Sequence, residues 1–216
     1  MPQRFDCSVP HERSSGLFAA AAACRRGSLV VLPTETVYAV ATDAFSDTGV
    51  ARIRLALGRS REHPLPVLIG RPQTADGLVL SMGEEGRALV EAFWPGPLTI
   101  VARAHPSLQW DLGDTGGTVS VRMPIHPLAL ELLRETGPLA LTAATPSGGV
   151  APRTADEAQV LIGDHAAIYL DGGPCADGLA STVVDVTGAT PRVIRAGAVS
   201  SDLLREVVPT MDDSAP

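Results

Sequence analysis

The stretch LVVLPTETVY, residues 29–38, joins a short apolar run to a polar segment. A run of β-branched residues and leucine predicts a buried β-strand. Pro33 ends the strand because proline has no N–H to donate to a sheet. Thr34, Glu35 and Thr36 therefore lie where a strand opens into a loop, which is where α/β proteins bind ligands. A polar strand end with a threonine capping the next turn explains this stretch alone equally well.

Strand-like and helix-like segments alternate along the rest of the chain. The strand-like runs are 28–33, 65–70, 98–103, 118–122, 138–142, 166–170, 182–187 and 191–195. The helix-like stretches lie near 14–26, 47–57, 84–93, 126–134, 154–161 and 198–207. Since several strands are apolar throughout, the pattern predicts an α/β fold with a sheet covered by helices.

A chain of 216 residues with 45% hydrophobic residues is long enough for one good core. We expect a single domain over residues 14–208, a partly flexible N-terminal segment over 1–13 and a flexible tail over 209–216. No apolar run approaches the length that spans a bilayer, so no membrane partner is expected. Three widely spaced cysteines match neither a zinc site nor a disulfide framework, which favours the cytoplasm.

The charge pattern limits how an anion can be bound. Net charge is −7, whereas proteins whose main partner is nucleic acid are usually basic. All 17 basic side chains are arginine, and the chain has no lysine. A GC-rich genome accounts for most of this bias, but the consequence is the same. Any anion must be held by arginine forks, backbone N–H groups or a metal.

Several motifs occur in a characteristic order. They are PTETVY at 33–38, GRSREHPL at 58–65, FWPGPLT at 93–99, TVSVRMP at 118–124, STVVD at 181–185 and RVIRAG at 192–197. Over roughly residues 14–200 they resemble the single-domain form of the YrdC-like family, the L-threonylcarbamoyladenylate synthases of tRNA modification. The resemblance implies a twisted, largely mixed sheet flanked by helices, with a concave ligand cleft.

The resemblance also implies a nucleotidyltransferase reaction in the cytoplasm. L-threonine, bicarbonate and ATP, with Mg²⁺, would give threonylcarbamoyladenylate and pyrophosphate, and tRNA or tRNA-modification proteins are possible partners. Such a reaction needs positioning and charge neutralisation more than a protein nucleophile. Two alternatives remain: a diverged paralogue that uses another carbamoyl acceptor or a carbamoyl adenylate, and an inactive nucleotide- or RNA-binding module.

The resemblance assigns the nucleotide side of the site to Arg59, His63, Thr118, Thr145 and Arg195. Arginine suits phosphate recognition, although Arg59 could instead cap a helix C-terminus. An exposed loop histidine is nearly as good an interpretation of His63 as a phosphate donor.

The amino-acid side is assigned by resemblance to Thr36, Arg122, Ser181 and Thr142, with Thr36 and Arg59 as the catalytic pair. On a strand, alternation places Arg122 on the same face as Ser120. From there its fork could bind a carboxylate or form an edge salt bridge.

Several further residues are candidates for the site or have a structural role. Small residues after Gly178 suggest that the backbone near Ser181 approaches a ligand closely. Glu35 could serve as a magnesium or amine partner, or form a structural salt bridge. Asp111 and Asp114 could bind a metal, but a solvated loop is the better interpretation, so no metal ligand is assigned. Cys175 is interpreted as a filler in a turn.

Four positions depart from the family motifs. Leu57 stands where the family has a lysine, and Ala39-Val40-Ala41 replaces a G-L-G loop. Ala143-Ala144-Thr145 aligns with S-A-N, and Arg195-Ala196-Gly197 with R-P-G. Thr142 could replace the missing hydroxyl group.

Overall fold

The computed structural model describes residues 1–175 and 179–213 of the chain. The strands in these ranges are β1 (Gln3–Asp6), β2 (Leu29–Pro33), β3 (Tyr38–Asp43), β4 (Val67–Leu68), β5 (Val79–Ser81), β6 (Leu98–Ala104), β7 (Thr118–Arg122), β8 (Leu139–Ala143), β9 (Ala166–Asp171), β10 (Thr182–Asp185) and β11 (Arg192–Arg195). The α-helices are α1 (Pro10–Arg25), α2 (Asp47–Leu57), α3 (Thr74–Leu78), α4 (Gly83–Phe93), α5 (Pro127–Thr136), α6 (Ala155–Ile162) and α7 (Ser201–Val207).

The strands form one mixed sheet in the order β1-β9-β2-β3-β8-β4-β7-β6-β10-β11, and β5 pairs with β6. Strand β2 is parallel to β9 and antiparallel to β3, while β6 is antiparallel to β7 and parallel to β10. The predicted α/β class and mixed sheet are therefore confirmed.

The alternating side chains of β2 show how the core is divided. Val30 and Leu32 belong to an apolar cluster with residues of α1 and α5, whereas Leu29 and Val31 belong to a second cluster that also includes residues of α2, α4, α6 and α7. Period-two alternation thus builds one apolar cluster on each face of the sheet. Among the described residues, no helix is both long and apolar enough to cross a bilayer.

The predicted helices agree with the structure within a few residues. Ser46 caps α2 by accepting a hydrogen bond from Gly49 N–H at 3.1 Å, and Gly58 ends the helix in the left-handed region at φ 61°. The first helix begins earlier than expected, because Pro10 is favourable in the first helical turn.

Both ends of the described chain contact the sheet. Within residues 1–13, β1 pairs with β9 as an edge strand, and Cys7 N–H donates to Asp171 O at 2.8 Å. In the predicted tail, Met211 is buried, and Val193 N–H donates to Asp212 O at 2.8 Å. Both segments thus pair with distant strands, and their expected flexibility stays a prediction. Residues 214–216 lie outside the described residues.

Strand β3 contains Ala39-Val40-Ala41, for which the resemblance predicts a loop. These residues are fully paired between β2 and β8, with Val40 opposite Val31 and Thr142. Alanine is depleted in strands, so the local pattern is weak and long-range pairing decides the structure.

Candidate active site

A cleft of about 320 Å³ opens where the polar end of the 29–38 stretch meets the middle of the sheet. Ala39, Leu68 and Leu141 line it and also belong to the apolar cluster beneath α1 and α5, so the cleft shares their face of the sheet. Its lining residues are Thr34, Thr36, Val37, Ala39, Arg59, Pro64, Pro66, Leu68, Thr99, Ser120, Arg122, Leu141, Thr142, Ala143, Ala180, Ser181, Val183 and Arg195.

Arg122 enters the cleft from the end of β7 and is buried. Its Nη2 donates to Glu35 Oε1 at 2.5 Å, and Glu35 Oε2 accepts from Ile125 N–H at 3.3 Å. The Nε of Arg122 is buried and has no hydrogen-bond partner. Burial lowers the pKa of Arg122, and the charge of Glu35 partly offsets this effect. The guanidinium group therefore keeps an unused donor for a second anion.

Arg195 approaches the cleft from β11. Its Nη2 donates to Ser181 O at 2.8 Å and to Ser181 Oγ at 2.9 Å. Ser181 Oγ also lies 2.8 Å from Thr99 Oγ1. Burial of the group, and then the positive charge of Arg122, lower the pKa of Arg195. The two arginines thus interact electrostatically across the cleft.

Arg59 is placed by the C-terminal cap of α2. Its N–H donates to Arg54 O at 3.0 Å, the bond expected of the residue that follows a left-handed glycine cap. Its Nε is buried without a hydrogen-bond partner. Burial lowers the pKa of Arg59. The side chain is partly buried, and its Nε remains available as a donor to an anionic ligand.

The threonine loop forms a compact hydrogen-bonded turn. Thr34 Oγ1 lies 2.8 Å from Thr36 Oγ1 and donates to Val37 O at 2.8 Å, while Thr36 N–H donates to Thr34 Oγ1 at 3.2 Å. Both threonines are buried and line the cleft. The loop therefore makes the hydrogen bonds of a local turn and also lines the cleft, and its role in ligand binding stays a prediction.

Six of the predicted site residues meet at the cleft: Thr36, Arg59, Arg122, Thr142, Ser181 and Arg195. Three others do not line it. His63 is exposed, with Nδ1 3.3 Å from Ser60 Oγ; Thr118 Oγ1 donates to Thr115 O at 2.7 Å; and Thr145 is buried with an unpartnered Oγ1. Their assignment to the nucleotide stays a prediction that rests on the resemblance.

Sequence reasoning missed several cleft residues, among them Thr34 as a lining residue, Thr99 and the apolar wall at Leu68 and Leu141. The two leucines carry no chemical signal in the sequence. Thr99 follows the quoted FWPGPL segment, whose Trp94 is buried and donates from Nε1 to Leu98 O at 2.7 Å.

The departures from the family motifs have different structural contexts. Leu57 is 2% exposed in the core, so its side chain does not face the cleft. Ala143 and Thr142 line the cleft, whereas Ala144 is buried. Gly178, after which a close approach of the backbone to a ligand is expected, lies outside the described residues.

A protein-held metal does not fit the donors near the cleft. Within residues 1–175 and 179–213, no group of three or more histidine, cysteine or acidic side chains could hold an ion. Glu35 is engaged by Arg122, and Asp111 and Asp114 are paired with Arg61. A nucleophilic thiol does not fit either, because burial raises the pKa of Cys175 to about 11. What the cleft offers is three guanidinium groups beside several hydroxyl groups.

Comparison with known proteins places this architecture in one family. The Sua5/YciO/YrdC family model, described as "Telomere recombination", matches residues 22–197. A Mycobacterium tuberculosis H37Rv protein provisionally named a threonylcarbamoyl-AMP synthase is 50% identical over 208 residues, covering 96% of each chain. The threonylcarbamoyl-AMP synthase of Bacillus subtilis is 35% identical over 191 residues, covering 88% of this chain and 55% of the relative.

A solved structure agrees with these relatives. Pyrococcus abyssi Sua5 complexed with L-threonine superposes with a TM-score of 0.87 at 32% identity, covering 91% of this chain and 58% of that chain. The chain thus spans little more than half of the B. subtilis and P. abyssi proteins and nearly all of the mycobacterial one.

Proposed function

Because the chain belongs to the Sua5/YciO/YrdC family, we propose that it is a threonylcarbamoyl-AMP synthase that joins L-threonine, bicarbonate and ATP. The observation that carries this proposal is the convergence of Arg59, Arg122 and Arg195 on one cleft. A ligand pair with a polyphosphate and a carboxylate requires several fixed cations, and this chain has only arginine to supply them.

Each side of the cleft would do one part of the chemistry. Arg122, already in contact with Glu35, offers its free Nε to the carboxylate of L-threonine. Thr36 and Ser181 offer hydroxyl groups to the same substrate. Arg59 binds the triphosphate, and Arg195 supports the negative charge that grows on the phosphates.

The reaction then needs no protein nucleophile. The amine of L-threonine and bicarbonate form a carbamate with the loss of one water molecule. A carbamate oxygen then attacks the α-phosphorus of ATP while the bond to pyrophosphate breaks. Positioning and charge neutralisation carry the catalysis. Mg²⁺ would enter with the nucleotide, since the described side chains offer no cluster to hold it. We further propose that the product serves tRNA modification in the cytoplasm.

Pyrophosphate release from ATP and bicarbonate, measured with and without L-threonine, tests the function. We expect release that depends on L-threonine and on bicarbonate. Other amines at equal concentration are the matched control, because a different acceptor would replace L-threonine in the same assay. Release that is indifferent to millimolar L-threonine would contradict the proposal.

A further inference from the structure

The loop that carries Arg59 is tied to a second loop by a bidentate ion pair. We name residues 58–65 the arginine loop and residues 108–114 the aspartate loop. Arg61 Nη1 and Nη2 donate to Asp111 Oδ2 and Oδ1 at 2.5 and 2.8 Å, and Arg61 Nε donates to Asp114 Oδ1 at 3.2 Å. Fork-to-carboxylate pairing fixes direction as well as distance.

A second arginine joins the same two loops through their backbones. Arg54, in the last turn of α2, donates from Nη1 to Ser60 O at 2.8 Å and from Nη2 to Leu112 O at 2.6 Å. Backbone hydrogen bonds from Leu65 N–H to Leu112 O and from Asp114 N–H to Arg61 O, both 2.9 Å, complete the connection.

Gly113 leaves the space that this arrangement needs. Its φ is 109°, in the region that favours glycine, and a Cβ there would lie 2.4 Å from Arg54 Nη2 and 2.7 Å from Arg61 O. A side chain at this position would push the two loops apart. The contacts among Arg54, Arg61 and Gly113 therefore depend on one another.

The backbone of Arg59 is held on one side by the helix cap, where its N–H donates to Arg54 O, and on the other side by the rest of the arginine loop. The Nε of its side chain is buried and has no hydrogen-bond partner. Its position is set by the backbone of the arginine loop. An ion pair as exposed as Arg61 and Asp111, at 54% and 44%, adds little to overall folding stability. Its effect is expected to be local.

We propose that Arg61 and Asp111 are positioning residues that hold the arginine loop so that Arg59 meets the triphosphate of ATP. This inference rests on the proposed function. It predicts that loss of the pair raises KM for ATP. The binding of L-threonine should be unaffected, because that side of the cleft is built around Arg122 at the end of β7.

The test compares steady-state KM values for ATP and L-threonine in three double variants. R61A/D111A removes the pair without changing net charge, so a long-range field effect cannot explain its result. R61D/D111R reverses the pair, and R87A/D76A removes an exposed ion pair whose residues do not line the cleft. Thermal melting is measured alongside.

We expect R61A/D111A to raise KM for ATP by about threefold to tenfold and to leave KM for L-threonine within about twofold. R61D/D111R should recover only part of the ATP effect, because its new carboxylate would face Asp114, and R87A/D76A should change neither KM. An unchanged KM for ATP in R61A/D111A, or an equal rise for both substrates, would overturn the inference. If the unaltered protein forms no product, the proposed function fails instead, and nucleotide binding measured by calorimetry on the same variants then tests the loop pairing alone.

Discussion

Arg122, which lines the cleft, forms an ion pair with Glu35, with Nη2 and Oε1 2.5 Å apart and side chains only 9% and 17% exposed. The guanidinium group proposed to bind a substrate carboxylate therefore already contacts a carboxylate of the chain. Glu35 was expected to contact a magnesium ion or an amine, or to form a salt bridge, and the structure supports the salt bridge.

Variants of this ion pair can separate the effect of Arg122 on folding stability from its effect on the binding of L-threonine. R122Q should lower the free energy of unfolding by about 3 kcal/mol, because Glu35 would keep a largely buried charge without a partner. R122Q/E35Q should recover most of that loss, since both partners are then neutral. Both variants should raise KM for L-threonine by at least about tenfold. Chemical denaturation and pyrophosphate release measure the two effects, and normal threonine use in R122Q/E35Q would contradict the role of Arg122.

Arg59 should show the opposite relation between stability and activity. R59M removes a partly buried cation whose Nε has no partner, so the free energy of unfolding should stay the same or increase. Affinity for ATP should fall by about tenfold to a hundredfold with the loss of a charge-assisted contact. Denaturation and nucleotide-binding calorimetry on the same samples measure both. A destabilised R59M with normal ATP affinity would show that Arg59 is only structural.

Leu57 tests whether the missing family lysine matters. L57K places an ammonium group where the leucine is 2% exposed within the core, so we expect a loss of several kcal/mol in stability, on the order of 3, and no gain in activity. Thermal melting and kcat/KM for ATP are the measurements. L57M, which keeps an apolar side chain of similar volume, is the control. A rise in kcat/KM in L57K would mean that this position reaches the nucleotide.

Ala143 also departs from the family motif, but unlike Leu57 it lines the cleft, so restoring the family residue there should affect a ligand. A143S adds one hydroxyl group at the position where the family triplet has serine. We expect unchanged thermal melting and an ATP affinity higher by about fivefold, the effect of one added neutral hydrogen bond. A144S is the control, since Ala144 is buried and its added hydroxyl should destabilise the protein without improving affinity. Equal behaviour of the two variants would contradict this distinction.

These residues show what the sequence could and could not predict. The strand before Pro33, the helix between Ser46 and Gly58 and the alternation that places Arg122 in the cleft all follow from local pattern. The strand at Ala39–Ala41 and the burial of Leu57 depend on partners distant in sequence, which no local pattern reveals. Asp111 and Asp114 do lie in an exposed loop, as preferred from the sequence, but their pairing with Arg61 is another distant contact that no local pattern reveals.

His126 gives a prediction for pH dependence. It precedes α5, and its Nδ1 is buried without a hydrogen-bond partner. Burial lowers its pKa from the ordinary value of 6.5; the nearby charge of Glu35 opposes this shift and that of Arg13 adds to it. The unfolded chain therefore binds a proton at His126 at a higher pH than the folded chain does. Stability from this residue is complete above the unfolded pKa and is lost as pH falls below it.

We therefore expect the free energy of unfolding to fall between about pH 7 and about pH 5, and to fall less steeply in H126Q. Carboxylates with lowered pKa values, such as Asp111 and Glu131, act in a separate window, because their contributions are lost only as pH falls below their ordinary values of 3.8 and 4.5. H165Q, at an exposed position, is the matched control and should keep the pH dependence of the unaltered chain. Urea denaturation at intervals across this range measures the slope. Identical slopes for H126Q and the unaltered chain would show that the burial of His126 does not couple protonation to folding.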